Sequence, residues 1–508
     1  MIVILAVIIV TLLYYYTTKN YSYWVKKGVK HDPPVPLFGN NFKNYLGLAS
    51  ITEASVELYN RYRGEKVVGF YRGPKPELLI RDPDIIRQIL TTDFNSFHRR
   101  GIGRDPVKEP LFSNLFHVDG DRWKLLRQRL TPAFTTAKLK AMFPLIVECA
   151  EKLQKVAAES ASKDVDCDVR DLMARFTTDF IGACGFGIHM DALNDENSLF
   201  RVLGRRIFDL RFVTILLIAL KDLFPNFEKK LPPVSKKLKD DLTKIFTKVQ
   251  EERKGQHSGR NDFVDLLLEL EKKGKIVGPS IEKTNADGTP VQAELEMDVK
   301  IMVAQLFIFF AAGFETSSSA TSYTLHQLAY NQNVQEKVYQ EIKTVLAKYD
   351  NKLSYDAVNE MPYLDMAFKE AMRMFPSLGI LHRVCARKYT IPEINLTLDP
   401  GVKILIPVAA IQNDEQYFEN PSEFIPERFS SDNKMKHNYV YLPFGHGPRA
   451  CVGERLGQMQ SLAGLAAVLH KFKVVPGATS KEILRVSHIS NVVQSVKDGL
   501  PLRLITRN

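Results

Sequence analysis

Apolar residues recur at three- and four-residue spacings through most of the chain between residues 120 and 380, and this period is typical of α-helices. Two such segments are "DRWKLLRQRLTPAF" from Asp121 and "NVQEKVYQEIKTVLAKY" from Asn333. Strand-like runs are few and short: "EKVVGFYRG" and "ELLIRD" lie early, and "KILIPVAAI" lies late. The pattern predicts a mainly α fold with small β-sheets.

The most continuous apolar run lies at the N-terminus, where the segment from Ile2 to Tyr16 contains one polar residue. At a rise of 1.5 Å per residue, a helix extended to residue 18 spans about 25 Å, slightly less than the hydrocarbon core of a bilayer. Tyr21, Tyr23 and Trp24 are placed to form an aromatic belt at the membrane surface.

The charges around this run indicate its orientation. Lysines follow it, and no charged side chain precedes it. By the positive-inside rule, the rest of the chain then lies in the cytosol. A cleaved signal peptide is the alternative, but the charged start and the small-residue cleavage site of such peptides are missing. We therefore predict a transmembrane signal anchor over residues 1–24.

The remainder is predicted to be one domain behind a short hinge. Residues 25–40 are basic and contain Pro33, Pro34 and Pro36, which disfavour a helix and stiffen the segment. They predict a semi-rigid hinge. From residue 41 to residue 508, no repeat and no Gly/Ser linker marks a second domain.

Three other stretches interrupt the helical pattern. The polar stretches "ERKGQHSGRND" and "KKGKIVGPSIEKTNADGTPVQ" flank the short run "FVDLLLELE" and are predicted to be surface loops around a helix. The apolar run at residues 213–224, "VTILLIALKDLF", is too short to span a membrane. It is predicted to be a core helix, and a segment that dips into the membrane interface beside the anchor is the alternative.

The charge and cysteine content of the chain argue against several classes of function. The net charge of +11 comes from 69 basic and 58 acidic residues that are interleaved along the chain. No zinc-finger spacing or ribonucleoprotein pattern accompanies this charge, so no nucleic acid is expected as a partner. The five cysteines are widely spread, and no two form a C-x-x-C pair. This excludes a zinc site built on paired cysteines and favours a reducing compartment over a disulfide framework.

One cysteine stands in an unusual loop. The stretch "FGHGPRACVG", Phe444 to Gly453, surrounds Cys451 with three glycines, which permit positive φ angles and close backbone approach. The next segment, "ERLGQMQSLAGLAAVLHKF", has the period of a helix, so the thiol lies where a helix begins. Amide groups and the positive end of that helix favour a thiolate. A thiolate beneath a large flat ligand such as haem accounts for both the sulfur and the glycines.

The spacing Phe-Gly-x-Gly-Pro-Arg-x-Cys-x-Gly resembles the haem-binding signature of the cytochrome P450 superfamily. The resemblance implies the P450 fold, with haem b as cofactor and Cys451 as the axial ligand of the haem iron. It also places Phe444, Arg449 and Gly453 of the same loop against the haem.

Two further segments resemble the family independently. "KEAMRMF" contains Glu370 and Arg373 in the family's Glu-x-x-Arg arrangement, and "FIPERF" brings Arg428 in its Pro-Glu-Arg-Phe segment. In the family these three charges form a buried network behind the cysteine loop. The resemblance gives them the role of holding the haem platform, with no part in the reaction.

The segment Ala312-Gly313-Phe314-Glu315-Thr316 resembles the oxygen-activation motif on the family's long distal helix. Cleavage of dioxygen needs two protons in a mostly dry pocket. Thr316 can donate and accept through its hydroxyl group, and Glu315 can relay protons through water. Gly313 could make room for a bulge or a water molecule in the helix. The alternative for Thr316 is a hydrogen bond back to a carbonyl of its own helix.

The two haem propionates need cationic partners. Trp123 and Arg127 stand at i and i+4 of a predicted helix and resemble the family's propionate clamp. Arg383 in "LHRVCARK" matches the family's other propionate arginine, and Arg449 lies within the cysteine loop itself.

The whole chain resembles microsomal P450 enzymes of insects, especially the family-six type associated with plant toxins and insecticides. Such a monooxygenase inserts one atom of O2 into a lipophilic molecule, here a plant allelochemical, an insecticide or another xenobiotic, and reduces the other atom to water. No G-x-G-x-x-G follows a strand, so electrons from NADPH must arrive through a partner. The implied partners are NADPH–cytochrome P450 reductase and, as a second donor, cytochrome b5, in the endoplasmic reticulum membrane.

Family positions also suggest which residues contact the substrate, and their apolar and aromatic character suits lipophilic ligands. These residues are Phe112, Phe116, Phe309, Ala312, Leu378, Ile380, Val492 and Val493. A basic surface in or just after the predicted helix that carries Trp123 could dock the reductase or could form a solvated face. Its residues are Arg122, Lys124, Arg129, Lys138 and Lys140.

Two other functions stay open. Some relatives of this fold rearrange hydroperoxides without O2 or a reductase, although the presence of both Glu315 and Thr316 argues against this. The second is a membrane-anchored protein that binds haem or a ligand without turnover. Consumption of NADPH with a purified reductase would separate these functions.

Overall fold

The computed structural model describes residues 1–188, 190–195, 198–208, 220, 223–224, 236–254, 262–433, 435, 437–488 and 493–507. Helices dominate, as the apolar period predicts. The longer helices are Ile2–Thr18, Ile51–Arg61, Gly120–Leu130, Thr136–Ser162, Val169–Ile181, Leu199–Phe208, Lys236–Glu252, Phe263–Lys273, Val299–Tyr330, Gln332–Ala347, Pro362–Met374 and Glu454–Lys471. The shorter helices are Tyr23–Lys26, Phe42–Tyr45, Pro83–Arg87, Tyr355–Asn359 and Val408–Ile411.

The strands form small sheets, which confirms the predicted fold class. The largest sheet has four strands in the order Val67–Arg72, Lys75–Ile80, Lys403–Ile406 and Leu381–Val384. The middle pair is parallel, and the outer pairs are antiparallel. A second sheet joins Phe472–Pro476, Pro501–Thr506 and Cys167–Asp168, and two hairpins pair Lys275–Thr284 with Pro290–Glu296 and Tyr389–Ile391 with Leu396–Leu398.

The central element is Val299–Tyr330, which we call the long helix. It begins where the Asp298 carboxylate accepts a hydrogen bond from the amide of Ile301 at 2.8 Å, which satisfies one of the free N–H groups of the first turn. An apolar run follows, and most of its side chains are buried in the larger hydrophobic core. The helix is long and apolar enough to cross a membrane, but its burial inside the body makes it a core helix.

A glycine lets the long helix pack closely against its neighbour Val169–Ile181. A Cβ atom at Gly313 would overlap Cδ1 of Ile181. The helix is continuous through this position, so it has no bulge at Gly313, and the alternative of a water molecule there stays a prediction. Gly313 is explained by the closeness of the neighbouring helix, not by an interrupted hydrogen-bond ladder.

The N-terminal helix Ile2–Thr18 has the composition of a membrane anchor, and its apolar side chains are exposed. The candidate membrane span covers Ile2–Lys26 and so includes the predicted boundary at residue 24, although the first helix ends at Thr18 and Trp24 packs into the body. The Trp24 ring is fully buried against Gly69, and its indole N–H donates to the carbonyl of Phe70 at 3.2 Å. Trp24 is therefore a core residue of the sheet region and not part of an aromatic belt.

Residues 25–40 also pack against the body. His31 forms a β-bridge with Gly69, and Gly39 forms one with Arg72. The side chain of Asn40 accepts a hydrogen bond from the amide of Tyr71 at 2.8 Å. The predicted hinge is thus held along the edge of the four-stranded sheet instead of forming a spacer between anchor and body.

The second polar stretch forms a hairpin and not the predicted loop. Lys275–Thr284 and Pro290–Glu296 pair antiparallel, and Gly288 in the connecting turn has a φ of +83°. The hairpin lies on the helix Gly120–Leu130, where the hydroxyl group of Ser280 donates to the Asp121 carboxylate at 2.8 Å. The predicted helix between the stretches is present as Phe263–Lys273, and residues 255–261 lie outside the described residues.

Most of the apolar run 213–224 also lies outside the described residues, so its prediction is left open. Its described end contacts the N-terminal region. The ring of Phe224 stacks on that of Tyr16 with 6.4 Å between centroids, and Leu223 packs against Gly73.

Candidate active site

A cavity of about 1320 Å³ lies in the centre of the body. Its walls come from the long helix, the helix Gly120–Leu130 (the tryptophan helix), the sheet strand Leu381–Val384 and the segment Phe444–Gly453, which we call the cysteine loop. Apolar and aromatic side chains dominate one end, and arginines from three separate segments meet at the other. The cavity can therefore hold a large ligand that is apolar with an anionic edge.

The cysteine loop is a tight turn that closes on itself. The amide of Cys451 donates to the carbonyl of Phe444 at 2.8 Å, and that of Ala450 donates to the carbonyl of Gly447 at 2.9 Å. Gly445 and Gly447 have φ angles of +70° and +75°, as the glycine content predicts. The third glycine, Gly453, has a negative φ of −96°, because it is the residue from which the helix Glu454–Lys471 begins.

The two positive-φ glycines make a matched pair for a test of this loop. A Cβ at Gly447 would overlap the carbonyl oxygen of Leu90, whereas a Cβ at Gly445 meets its nearest atom at 3.8 Å. We expect Gly445→Ala to cost about 1–2 kcal/mol from the left-handed backbone alone. Gly447→Ala should cost a further 1–3 kcal/mol or so, because the backbone at Leu90 must move. Urea unfolding measures both, and equal losses would contradict this geometry.

The Cys451 side chain opens onto the cavity. Its sulfur nevertheless lies deep within the protein, and this burial raises the pKa of the thiol. The amide of Gly453 and the charge of Arg127 lower the pKa of the thiol, and the position before a helix predicts a lowering of this kind. Burial raises the pKa by more than these two groups lower it. A metal ion that faced the sulfur would favour its thiolate form.

Arg100, Arg383 and Arg449 lie together at the polar end of the cavity. Asp119 is the carboxylate that faces them: it accepts from Nη2 of Arg449 at 2.9 Å and from the amide of Arg100 at 2.7 Å. Burial lowers the pKa of Arg449 to about 8, that of Arg383 to about 9 and that of Arg100 to about 10. For Arg449 and Arg383, the charge of Arg100 adds to this lowering.

This cluster fits the two propionates of a haem. The two buried guanidinium groups of Arg383 and Arg449 and the half-buried one of Arg100 surround one carboxylate. They leave positive charge in excess, which is costly without anionic partners. Within the described chain, Nη1 of Arg449 and Nε of Arg383 have no hydrogen-bond partner although they are buried. Carboxylates of a ligand in the cavity would supply both the charge and the acceptors.

The predicted clamp residues contact the cysteine loop. Arg127 donates from Nη1 to the carbonyl of Ala450 at 2.8 Å. The guanidinium of Arg449 lies 4.4 Å from the centroid of the Trp123 ring, within the range of a cation–π contact. The tryptophan helix therefore positions the loop that carries Cys451 as well as the charges at its edge.

Behind the loop, the structure places Glu370, Arg373 and Arg428 in one ion-pair network. Arg373 binds both oxygens of Glu370, at 2.7 Å from Nε and 3.0 Å from Nη2, and Arg428 Nε donates to the same carboxylate at 3.1 Å. Glu370 and Arg373 are fully buried. Gln412 connects this network to the cysteine loop through Leu442. The carbonyl of Gln412 accepts from Arg373 at 2.9 Å, and its side chain accepts from the amide of Leu442 at 2.7 Å. The carbonyl of Leu442 in turn accepts from the amide of Gly445 in the loop at 3.0 Å.

On the long helix, Ala312, Gly313, Glu315 and Thr316 all line the cavity. The hydroxyl group of Thr316 donates to the carbonyl of Ala312 at 2.6 Å, the back-bond weighed as its alternative role. Its oxygen keeps lone pairs that can still accept a hydrogen bond. Glu315 is buried and forms an ion pair with Arg170 at 2.7 Å.

Phe112, Phe116, Phe309, Leu378, Ile380 and Val493 line the same cavity, together with Ala312. Val492 lies outside the described residues. Phe309 stacks on Phe263 with 4.4 Å between ring centroids, and the rings of Phe112 and Phe307 are 6.4 Å apart. The described members of the predicted substrate set thus all line this one cavity.

Comparisons with known proteins agree with this geometry. Residues 30–497 match the family model described as Cytochrome P450. The chain is similar to "Cytochrome P450 6a2" of Drosophila melanogaster, with 36% identity over 498 residues that cover 96% of each chain. It is also similar to "Cytochrome P450 6B6" of Helicoverpa armigera, with 34% identity over 491 residues that cover 96% of this chain and 95% of that protein.

The chain belongs to the cytochrome P450 family.

This P450 is a monooxygenase with a haem-iron cofactor, and its similarity to family-six proteins of insects confirms the predicted subgroup. As in the family generally, electrons come from a redox partner and the substrate is a small molecule. The N-terminal apolar helix is its candidate membrane anchor.

Sequence reasoning missed three residues that organise this site: Arg100, Asp119 and Gln412. Arg100 also donates from Nη2 to the carbonyl of Arg449 at 3.0 Å, and its cation lies 4.5 Å from the centroid of the Phe116 ring. No motif links "HRRG" to a loop that follows some 350 positions later. Of these three residues, only Asp119 has a local signal, because the Asp119-Gly120 pair stands before a predicted helix. That signal marks the start of a helix, but it does not show that Asp119 faces the arginines.

Proposed function

We propose that this P450 uses NADPH-derived electrons and O2 to insert one oxygen atom into lipophilic small molecules, including plant allelochemicals, insecticides and other xenobiotics. The observation that carries the proposal is that the Cys451 sulfur and the Thr316 hydroxyl face one cavity whose remaining wall is largely apolar and aromatic. Such a wall binds a lipophilic molecule by burying its apolar surface, and it excludes the water that would compete for the reaction.

The residues would hold haem b in a defined orientation. Cys451 would bind the iron, the arginine cluster would take the propionates, and Phe444 and Gly453 of the cysteine loop would lie against the haem. Haem iron bound by a thiolate supplies O2 binding and the electron donation that favours cleavage of the O–O bond. Trp123 and Arg127 keep the loop and the arginines in place through the contacts with Arg449 and Ala450.

The long helix would supply protons from Glu315 and Thr316. Burial lowers the pKa of Arg170, but the neighbouring Glu315 carboxylate raises it and outweighs burial, so this guanidinium stays charged beside Glu315. The side chain of Arg170 is 28% exposed and lines the same cavity as Glu315, so water in the cavity can reach the pair. Glu315 can take protons there and pass them through water to Thr316, whose hydroxyl group would turn from the carbonyl of Ala312 to donate to a reacting oxygen.

Thr316→Ala tests this proton step. We expect the variant to bind haem as before but to divert most electrons from product to hydrogen peroxide, because a donor in the transition state is lost. Thr324→Ala is the matched control, since Thr324 lies on the same helix, is buried and donates to the carbonyl of Ala320 at 2.8 Å. The ratio of product to NADPH consumed measures the effect. Unchanged coupling in Thr316→Ala with a good substrate would contradict the relay role.

The proposed partners are NADPH–cytochrome P450 reductase and, as a second electron donor, cytochrome b5. Both would meet a chain that is anchored in the endoplasmic reticulum membrane with its body in the cytosol, as the lysines after the anchor indicate. Arg122 and Arg129 are exposed on the tryptophan helix next to the cysteine loop, with Lys124 half-buried between them. These charges would attract an acidic surface of the reductase.

Product analysis with purified reductase tests the function as a whole. The full chain in membranes, with reductase, NADPH, O2 and a panel of plant toxins and insecticides, should give products that are heavier by one oxygen atom drawn from labelled O2. Product from hydroperoxides without NADPH would favour the rearranging function instead. Tight ligand binding without NADPH consumption by any compound would favour the non-catalytic one.

A further inference from the structure

The β-hairpin that lies on the tryptophan helix carries a carboxylate, Glu282, whose position is set by a local irregularity. The register of the hairpin's first strand, Lys275–Thr284, shifts in the second half of the strand. There the hydroxyl group of Ser280 accepts from the amides of Glu282 at 3.0 Å and of Lys283 at 2.8 Å. It also donates to the carboxylate of Asp121 on the tryptophan helix at 2.8 Å. Irregularities of this kind re-aim a side chain, and here the side chain is that of Glu282.

The Glu282 carboxylate contacts two separate segments of the body. It accepts from Nε of Arg99 at 3.0 Å, and it lies 3.5 Å from Nε2 of the buried His98. It also packs on Gly120 at the start of the tryptophan helix, where a Cβ atom would overlap it. Gly120 has a φ of +62°, so both its backbone and this contact favour glycine. One side chain therefore joins the segment that ends at Arg99 to the first turn of the tryptophan helix.

The same two segments hold the guanidinium group of Arg449. Its Nε donates to the carbonyl of His98 at 2.6 Å, which belongs to the first segment. Its Nη2 donates to the carbonyl of Val118 at 3.0 Å and to the carboxylate of Asp119 at 2.9 Å, just before the tryptophan helix. The orientation of this guanidinium group therefore depends on how far apart the two segments lie. Nη1 of Arg449 has no partner in the described chain and is left for a ligand in the cavity.

We propose that Glu282 is a positioning residue for the haem: its contacts with Arg99 and Gly120 fix the distance between the two segments and so aim Arg449 at a propionate. Glu282 and Arg99 do not line the cavity, so they act on the haem only through the segments that they join. The hydrogen bonds between them are charge-assisted, which makes them stronger than neutral ones. This inference rests on the proposed assignment of the arginine cluster to the propionates.

Glu282→Gln and Glu282→Asp separate the charge of this side chain from its shape. Glutamine keeps the size and removes the charge, whereas aspartate keeps the charge on a shorter side chain that Arg99, 42% exposed, can follow. We expect haem to leave Glu282→Gln for added apomyoglobin about fivefold faster or more, because hydrogen bonds to a charged group are lost. Glu282→Asp should lose haem at nearly the natural rate. A role in packing alone would give the reverse order and would overturn the proposal.

Glu294→Gln is the matched control on the same hairpin. Glu294 pairs with Lys275 at 3.2 Å, and both side chains are more than half exposed. An exposed pair of this kind contributes little, so the control should keep its haem as long as the natural protein does. Haem loss as fast in Glu294→Gln as in Glu282→Gln would mean that any lost charge on the hairpin has this effect, and it would overturn the proposal.

Arg99→Gln shows whether Glu282 acts through Arg99. This variant should also lose haem faster, and adding Glu282→Gln to it should change the rate little, because the contact is already broken. Independent effects of the two substitutions would overturn the proposal. If Glu282→Gln folds poorly, Arg99→Gln tests the same contact from its more exposed side. A natural protein that holds haem and variants that all lose it at one rate would overturn this proposal alone, whereas a natural protein without haem would contradict the proposed function as well.

Discussion

Cys451→Ala should abolish both thiolate ligation of the haem and product formation. The sulfur is the group of the cysteine loop that opens onto the cavity, and alanine offers no ligand in its place. Without the thiolate, the electron donation that favours O–O cleavage is lost, so monooxygenase activity should fall to background. The loop should keep its shape, because its hydrogen bonds from Cys451 and Ala450 are made by the backbone.

Absorption spectra and product assays measure this effect, with Cys149→Ala as the matched control. Cys149 is buried in the helix Thr136–Ser162 and does not line the cavity, and burial raises the pKa of its thiol to about 12. The control should keep the thiolate–haem spectrum and the activity. A Cys451→Ala protein that still shows a thiolate–haem spectrum would mean that another cysteine is the ligand.

The second large effect is expected for Glu370→Gln. The substitution keeps the size of the side chain but removes the charge that compensates Arg373, whose side chain is fully buried. Breaking such a buried pair costs about 3–5 kcal/mol, since the remaining charge has no water to solvate it. Because Gln412 joins this network to the cysteine loop, the variant should also lose haem more readily.

Denaturant unfolding and haem retention after gel filtration measure this loss. Asp356→Asn is the matched control: Asp356 pairs with Lys140 at 3.1 Å, but both side chains are 58% exposed. An exposed pair of this kind contributes about 0–1 kcal/mol to stability, so the control should unfold at nearly the same denaturant concentration as the natural protein. If both variants lost the same small amount of stability and kept their haem equally well, the network would not support the haem platform.

The repeating pattern of apolar residues along the sequence predicted the helices of the body well. The apolar period of three to four residues depends on one helix face at a time, so it survives without knowledge of the partners that cover that face. The helix after Cys451 was found in this way, whereas the long helix was expected from the family's oxygen-activation motif. The cysteine loop was found because the residues that identify it are contiguous in the sequence, from Phe444 to Gly453.

Features that depend on distant contacts were missed or misassigned. Trp24 was placed in a membrane belt because composition does not distinguish an aromatic ring at an interface from one that fills a core against Gly69. The hairpin after Phe263–Lys273 was taken for a loop because its Gly, Pro and charged residues hide the alternation of a strand. Arg100 and Gln412 act through partners far away in the chain, and no local pattern reports such a contact.

The most direct test of this account is the carbon monoxide difference spectrum of the reduced, membrane-expressed protein. The account predicts a strongly red-shifted Soret band, because the Cys451 thiolate donates electrons to the haem iron. A band of the ordinary histidine type would mean that the thiolate is lost or protonated. Well-folded protein with no haem spectrum would contradict the assignment of the cysteine loop and the arginine cluster as a haem site.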